Sequence, residues 1–316
     1  MLDISYNGHS VQQTRESGID SPSMDINANT SLLLQSLQRS HKHITSSEPA
    51  IPHQPQPSQF KPTSSPTANM SLTDKVILIT GASNGIGAAL ATHLSSLGAL
   101  LVINYRSDEA SATRLVTICG GPSRAIAVQA DVSRIDEIDK LVSAAVGKFG
   151  RVDVAVANAG LMLMRGVEDT TEEDFARLFD LNVKGPYFLA QKVVPHMKPG
   201  SRIIFVSTGV NRHTGVTPNY LLYAATKGAI DQMTRLMAKG LASKGINVNA
   251  VAPGPVATDL FFQGKSEALI KGIKGMNPHG RLGDPGDVAK VVGFLAREES
   301  AWIDGQIIGA NGGSFV

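Results

Sequence analysis

The chain has 316 residues, 42% hydrophobic and 18% charged, which is apolar material enough for one large folded domain or two small ones. Its formal net charge is only +2 and its lysines and arginines are scattered, so the composition argues against nucleic-acid partners and an anionic membrane surface and for small molecules. Cys119 is the only cysteine, which excludes an intramolecular disulfide and leaves no cysteine-based metal site. With no run of about 18 apolar residues and no basic-then-apolar leader, the expectation is a cytoplasmic protein with no membrane segment.

Residues 1–70 differ from the rest. They hold seven of the 16 prolines and half of the eight histidines but only two of the 31 glycines, which is the composition of a disordered extension. Only Ser31 to Leu37 offers a short helix there, and Asp3, Glu16, Asp20 and Asp25 argue against a mitochondrial presequence. Met70, directly before SLTDKVILITG, is a second candidate start of translation.

From Lys75 onward, short apolar runs alternate with helical patterns, the sign of a parallel sheet covered on both faces. Strands are expected at 75–80, 100–104, 125–130, 152–157, 202–207, 246–251 and 306–310. Helices are expected near 85–97, 108–118, 134–148, 172–197, 221–243 and 286–297. The expected fold class is therefore α/β, a doubly wound Rossmann-type domain with a seven-stranded parallel sheet over residues 71–316.

The first strand runs into Gly81, Ala82, Ser83, Asn84, Gly85, Ile86 and Gly87, and an apolar helical pattern follows at once. Glycines permit positive φ and close backbone approach, and a helix N-terminus meets negative charge, so strand, turn and helix together form a cradle for a dinucleotide pyrophosphate. The second strand ends in Asn104, Tyr105, Arg106 and Ser107, with no acid before Asp108. A cation without a carboxylate at this place suits a ribose 2′-phosphate, which favours NADP(H) and leaves NAD(H) as a second cofactor.

Tyr223 and Lys227 lie four residues apart in the 221–243 helical pattern and so share a face. A cation beside a phenol favours the phenolate, which draws a tyrosine towards the range for general acid/base work.

The glycine turn, Asn158-Ala159-Gly160 after the fourth strand, Asn182 in LNVKG, Tyr223 with Lys227, and Pro253 to Thr258 after the sixth strand stand in one order. In that order segment 71–316 resembles the short-chain dehydrogenase/reductase family, in its YxxxK branch. The resemblance implies an oxidoreductase moving a hydride between NADP(H) and a carbonyl or secondary alcohol. Tyr223 would be the proton donor or acceptor, Lys227 would hold the ribose and lower the tyrosine pKa, and Asn182 would hold a water linking Lys227 to solvent. Gly81, Ser83, Asn84, Gly85, Ile86 and Gly87 would cradle the pyrophosphate, with Tyr105, Arg106 and Ser107 at the adenosine ribose. Asp131 and Val132 would touch the adenine, although Asp131 also reads as a helix N-cap. Asn158, Ala159 and Gly160 would line the adenosine side, and Pro253, Gly254, Val256 and Thr258 would close over the nicotinamide.

One position departs from the family pattern. The hydroxyl that steadies the substrate oxygen is usually a serine just beyond the fifth strand, and at the usual spacing that place is Val210. Strand alignment points to Thr208, with Ser207 as the alternative, and implies a longer loop. His213 in that loop reads as an exposed histidine. Residues near 255–278 combine Phe261, Phe262, Leu269, Ile270, Ile273 and Met276 with glycines and lysines, an amphipathic flap suited to a hydrophobic ketone, aromatic or polyketide-like. By family analogy the two long helices would pair subunits into a homotetramer or homodimer. Two other classes stay open: a non-catalytic NADP(H)-binding sensor or scaffold, and an epimerase or dehydratase.

Overall fold

The computed structural model describes residues 71–315. The expected extension, 1–70, lies outside the described residues. The elements are β1 (Val76–Ile79), α1 (Gly85–Ser96), β2 (Leu100–Tyr105), α2 (Glu109–Ile118), β3 (Ala125–Gln129), α3 (Ile135–Phe149), β4 (Val154–Ala157), α4 (Glu172–Phe179), α5 (Gly185–Val193), β5 (Arg202–Val206), α6 (Leu221–Leu241), β6 (Asn247–Pro253), α7 (Asp259–Phe262), α8 (Glu267–Met276), α9 (Pro285–Leu295) and β7 (Ile307–Ala310).

The seven strands form one parallel sheet in the order β3-β2-β1-β4-β5-β6-β7. The chain builds outward from β1 in one direction and then from β4 in the other. A crevice therefore opens at the carboxyl ends of β1 and β4, where a doubly wound sheet takes its ligand. Ile79 pairs with Val156, which brings the glycine turn after β1 level with Asn158 after β4.

Every residue of β1, β4 and β5 is buried, as expected when helices cover both faces. On one face Ile77, Ile79, Leu101, Ile103, Val154 and Val156 pack against Leu90 and Leu94 of α1, Leu115 of α2 and Val292 of α9. On the other, Leu78, Val102, Ala155 and Phe205 pack against Ile138 and Leu141 of α3, Leu189 of α5 and Ile230 of α6. The alternation follows from the period of two along a strand. Each Val, Leu, Ile or Phe among them contributes about 1.5–3 kcal/mol by leaving water. At the amino end of the sheet the Asp153 carboxylate ties β4 to β1, accepting from Val76 N (2.8 Å) and Arg151 Nε (2.9 Å).

The single helix expected over 172–197 is interrupted. Between α4 and α5 the chain makes a π-helical turn, Asp180–Lys184, in which Gly185 N donates to the Asp180 carbonyl. Pro186 explains the break: lacking an N–H, it cannot give the Asn182 carbonyl the bond that an α-helix would supply there. A 3-10 turn, Val194–His196, ends the segment at Pro195. The flap stretch, for which no helix is expected, holds α7 and α8, started by the side chains of Thr258 and Ser266, which accept from Phe261 N (3.2 Å) and Leu269 N (3.3 Å). No residue of α8 is buried. Among the described residues no helix is long and apolar enough to cross a membrane.

Candidate active site

The glycine turn is built from positions that only glycine fills easily. Gly81 and Gly85 have φ of 59° and 53°. A Cβ on Gly87 would stand 2.3 Å from the Gly81 carbonyl oxygen, so α1 can start beneath the turn only without one. Asn158 braces the turn from β4: its Nδ2 donates to the carbonyls of Thr80 and Gly81, each at 2.9 Å, while Thr80 Oγ1 accepts from the Asn158 and Ala159 amides at 3.0 Å. Asn84, at the N-cap of α1, makes no side-chain cap bond, so the first amides of the helix face the crevice uncapped. Ser83 and Ile86 are half-buried beside it.

Asn104 braces the glycine turn without a motif to mark it. It is buried at the end of β2, accepts from Gly81 N at 3.1 Å and donates to the Ala130 carbonyl at 2.9 Å, tying the turn to the ends of β2 and β3. Its only signal was an amide in the apolar run LLVINY. Beyond it Tyr105 is buried, whereas Arg106 and Ser107 are exposed at the mouth of the crevice. Asp131 is not the cap of α3, since that place belongs to Arg134. Partial burial works against its ionisation, but bonds from Ser133 Oγ (2.7 Å) and Ser133 N (3.0 Å), with Arg106 and Arg134 nearby, hold its carboxyl below the usual range. Val132 is buried, and its carbonyl lies 2.5 Å from where a Cβ on Gly185 would stand.

Across the crevice, Pro253 ends β6 and Gly254 passes so close to Asn311 that a Cβ would stand 2.9 Å from the asparagine Cβ. Val256 forms a bridge with Gly283. The Thr258 methyl lies 3.3 Å from the point a Gly85 Cβ would occupy, so this loop faces the glycine turn directly.

Helix α6 carries Tyr223 and Lys227 one turn apart. Lys227 is 5% exposed, donates to the Val206 carbonyl at 2.7 Å and lies 5.9 Å from the centre of the Tyr223 ring. A Cβ on Gly160 would stand 3.4 Å from Asn182 Oδ1 and 3.6 Å from Lys227 Nζ, so one short segment, Asn158 to Gly160, connects the glycine turn to the lysine. Asn182 is fully buried; it accepts from Leu161 N (2.9 Å) and donates to the Leu161 carbonyl (2.8 Å) and Thr226 Oγ1 (3.1 Å).

The two hydroxyls after β5 part company. Thr208 lies beside the Tyr223 phenol and favours its ionised form, whereas Ser207 Oγ turns away and donates to Asp231 Oδ1 at 2.5 Å. Val210 sits in a 3-10 turn, Gly209–Arg212. His213 is half-buried rather than exposed, its ring 4.6 Å from that of Phe315.

The electrostatics differ from the expectation that Lys227 draws the tyrosine pKa down. Burial pushes the Tyr223 phenol up to about 12, with Thr208 lowering it and Tyr220 adding to the rise. Burial likewise lowers Lys227 to about 8, opposed by the Asp231 carboxylate. Desolvation outweighs the pairing of the two groups.

The family model described as Enoyl-(Acyl carrier protein) reductase matches residues 81–314. Hydroxynaphthalene reductase-like protein Arp2 of Metarhizium robertsii is 39% identical over 259 residues, covering 78% of this chain and 97% of the relative. A probable tetrahydroxynaphthalene reductase of Zymoseptoria tritici is 39% identical over 257 residues, 78% of this chain and 96% of its own. Among solved structures, the angucycline C-6 ketoreductase LanV with bound NADP superposes with a TM-score of 0.72 at 34% identity, over 77% of this chain and 96% of that one. With the glycine turn, Asn182, and the Tyr223 and Lys227 pair at their proper strand ends, the chain belongs to the short-chain dehydrogenase/reductase family.

Proposed function

We propose that the protein is an NADP(H)-dependent reductase that converts a hydrophobic, phenolic or polyketide-like ketone to the secondary alcohol. One observation carries the reading: the Tyr223 phenol, the Thr208 hydroxyl and the Lys227 ammonium converge at the carboxyl end of β5, joined through Gly160 to the glycine turn. The relatives named as hydroxynaphthalene and tetrahydroxynaphthalene reductases, and the apolar flap side chains, support the substrate class.

The crevice suits a dinucleotide phosphate. Gly87 leaves room for close backbone approach, the uncapped start of α1 offers its amides to a pyrophosphate, and Arg106 stands exposed where a 2′-phosphate needs a cation. Asn158 keeps the turn in shape, and Val256 and Thr258 close the opposite wall. NADPH, when bound there, supplies the hydride. The chain's own part is to bind, orient and handle the proton. Thr208 donates to the carbonyl oxygen and Tyr223 gives it a proton as negative charge develops. A phenol held near 12 is protonated at neutral pH and so ready to donate. Lys227, charged below about pH 8, steadies the phenolate left behind. Asn182 braces Leu161 against α6, and its carbonyl, to which Pro186 has no N–H to give, would hold a water for proton return.

Incubation with aromatic ketones and NADPH, followed by nicotinamide absorbance, tests the reading. Net cofactor consumption that Tyr223→Phe abolishes is expected; turnover without net consumption would mark an epimerase or dehydratase, and binding without turnover a sensor. Arg106→Ala should lower the preference for NADPH over NADH at least tenfold. The reading extends to a cytoplasmic homotetramer or homodimer, supported by exposed Phe175 and Tyr187 on α4 and α5 and by Leu221 and Leu236 on α6, with sedimentation velocity as its check.

A further inference from the structure

Asp231 follows Lys227 by one helical turn, so Tyr223, Lys227 and Asp231 form a stripe on one face of α6. The residue is 9% exposed. A carboxylate that far out of water needs donors, and its two come from either end of one loop: Ser207 Oγ to Oδ1 at 2.5 Å and Asn211 Nδ2 to Oδ2 at 3.3 Å. Between those two residues lies Thr208, whose hydroxyl is close enough to the Tyr223 phenol to favour its ionised form. Phe315 packs on the outer side of this loop at Gly209 and His213, and the Thr208 hydroxyl itself receives a 3.3 Å bond from Val210 N, so the hydrogen bonds that tie the loop to α6 are those to Asp231.

We propose that Asp231 is a positioning residue: its carboxylate clamps both ends of the Ser207 to Asn211 loop onto α6, holding Thr208 beside Tyr223, and sets a negative charge one helical turn from the buried Lys227 ammonium. The proposal rests on the reductase reading above for its kinetic consequences. Among the described residues, Asp231 is the negative charge that bears on Lys227. On α6 the groups facing it are Tyr223 and Asp231. From β5 the Val206 carbonyl accepts from it, and Asn182 of the π turn and Gly160 at the end of β4 lie beside it, all of them neutral. Tyr220, before α6, bears on the phenol. The nearby Asp180 is occupied by Lys184 at 2.6 Å on the exposed side of the π turn.

Asp231→Asn keeps the shape and the acceptor for Ser207, removes the charge, and sets an amide donor against that of Asn211. The expected result is a kcat about tenfold lower or more with KM little changed. The alkaline limb of kcat should move down by about one pH unit, because Lys227 loses its proton sooner. NADPH affinity measured at pH 6, where Lys227 is charged in both proteins, should stay within about threefold. NMR of the lysine side chains reports the same downward shift of Lys227 without any turnover, so the proposal stands or falls even if no ketone is reduced. A folded Asp231→Asn protein with wild-type kcat, or with an unmoved alkaline limb or Lys227 titration, overturns it. Should that variant not fold, Asn211→Ala decides, since it removes one arm of the clamp and keeps the charge: a several-fold loss of kcat with the limb in place supports the clamp, and wild-type kcat overturns it.

Discussion

Gly87→Ala perturbs the cofactor turn by one methyl group. The added Cβ would stand 2.3 Å from the Gly81 oxygen, 2.7 Å from the Ala82 Cα and 2.8 Å from Asn158 Nδ2, against comfortable carbon contacts of about 3.5–4.0 Å. Two of the three neighbours are backbone, so the turn or the helix must move by about 1 Å. Overpacking of this kind costs about 1–3 kcal/mol. Displacing Asn158 breaks its two 2.9 Å bonds to Thr80 and Gly81, at about 1 kcal/mol each. The sum, about 3–5 kcal/mol, lowers Tm by roughly 10 °C in a domain of this size. A pyrophosphate held by backbone amides loses at least one good bond when they shift, about 1.4 kcal/mol or tenfold in Kd. Thermal unfolding with and without NADPH reads both effects. Cofactor at about 100 times the wild-type Kd stabilises the wild type by about 2.7 kcal/mol and a tenfold weaker variant by about 1.4 kcal/mol. A Gly87→Ala protein that binds NADPH within twofold of wild type would refute the close-approach argument.

Thr208→Ala should lower kcat by about 10²-fold with normal NADPH binding, while Ser207→Ala, which removes one arm of the Asp231 clamp but no group at the phenol, should cost only several-fold; equal losses would contradict the orientation of the two hydroxyls. Lys227→Met should raise thermal stability at neutral pH while abolishing turnover. The unfolded lysine keeps its proton up to about 10.5 and the folded one only to about 8, so its burial cost is present below pH 8 and relieved as pH rises through that window. The advantage of Met should shrink over the same range, and a pH-independent difference would refute the depressed pKa. Gly272→Ala with Gly275→Ala meets no atom within 4 Å and should stiffen α8 by about 1 kcal/mol per site, lowering kcat and KM together in steady-state assays; unchanged constants would mean that α8 does not move during turnover.

The strands and the main helices were legible because a sheet covered on both faces leaves uninterrupted apolar runs such as VILI and VAVA, and because glycine turns mark strand ends. The interruption at Asp180–Lys184 was not, since it depends on one missing donor at Pro186 within a segment whose apolar spacing still reads as helix. Asn104 and Asp231 escaped notice for a common reason. Their partners are distant in sequence, at Gly81 and Ala130 for one and Ser207 and Asn211 for the other, and no local pattern announces them. The same holds for His213, which is drawn in by Phe315 from the far end of the chain. The sequence puts Thr208 ahead of Ser207 by strand alignment alone, and it is the direction of each side chain that separates them. The tyrosine pKa was misjudged because spacing reveals a neighbouring charge but not the depth of burial.

The π turn acts as a phase setter along one helical rod. An α-helix advances about 100° per residue, so the surplus residue rotates everything after it relative to everything before. Segment α4 buries only Leu178, whereas α5 turns Leu189, Ala190 and Val193 into the core. A single-residue deletion between Asp180 and Lys184 would therefore leave the segment helical yet swing one of those two faces out of register, and Asn182 with it. The rod tolerates substitution far better than a change in its count.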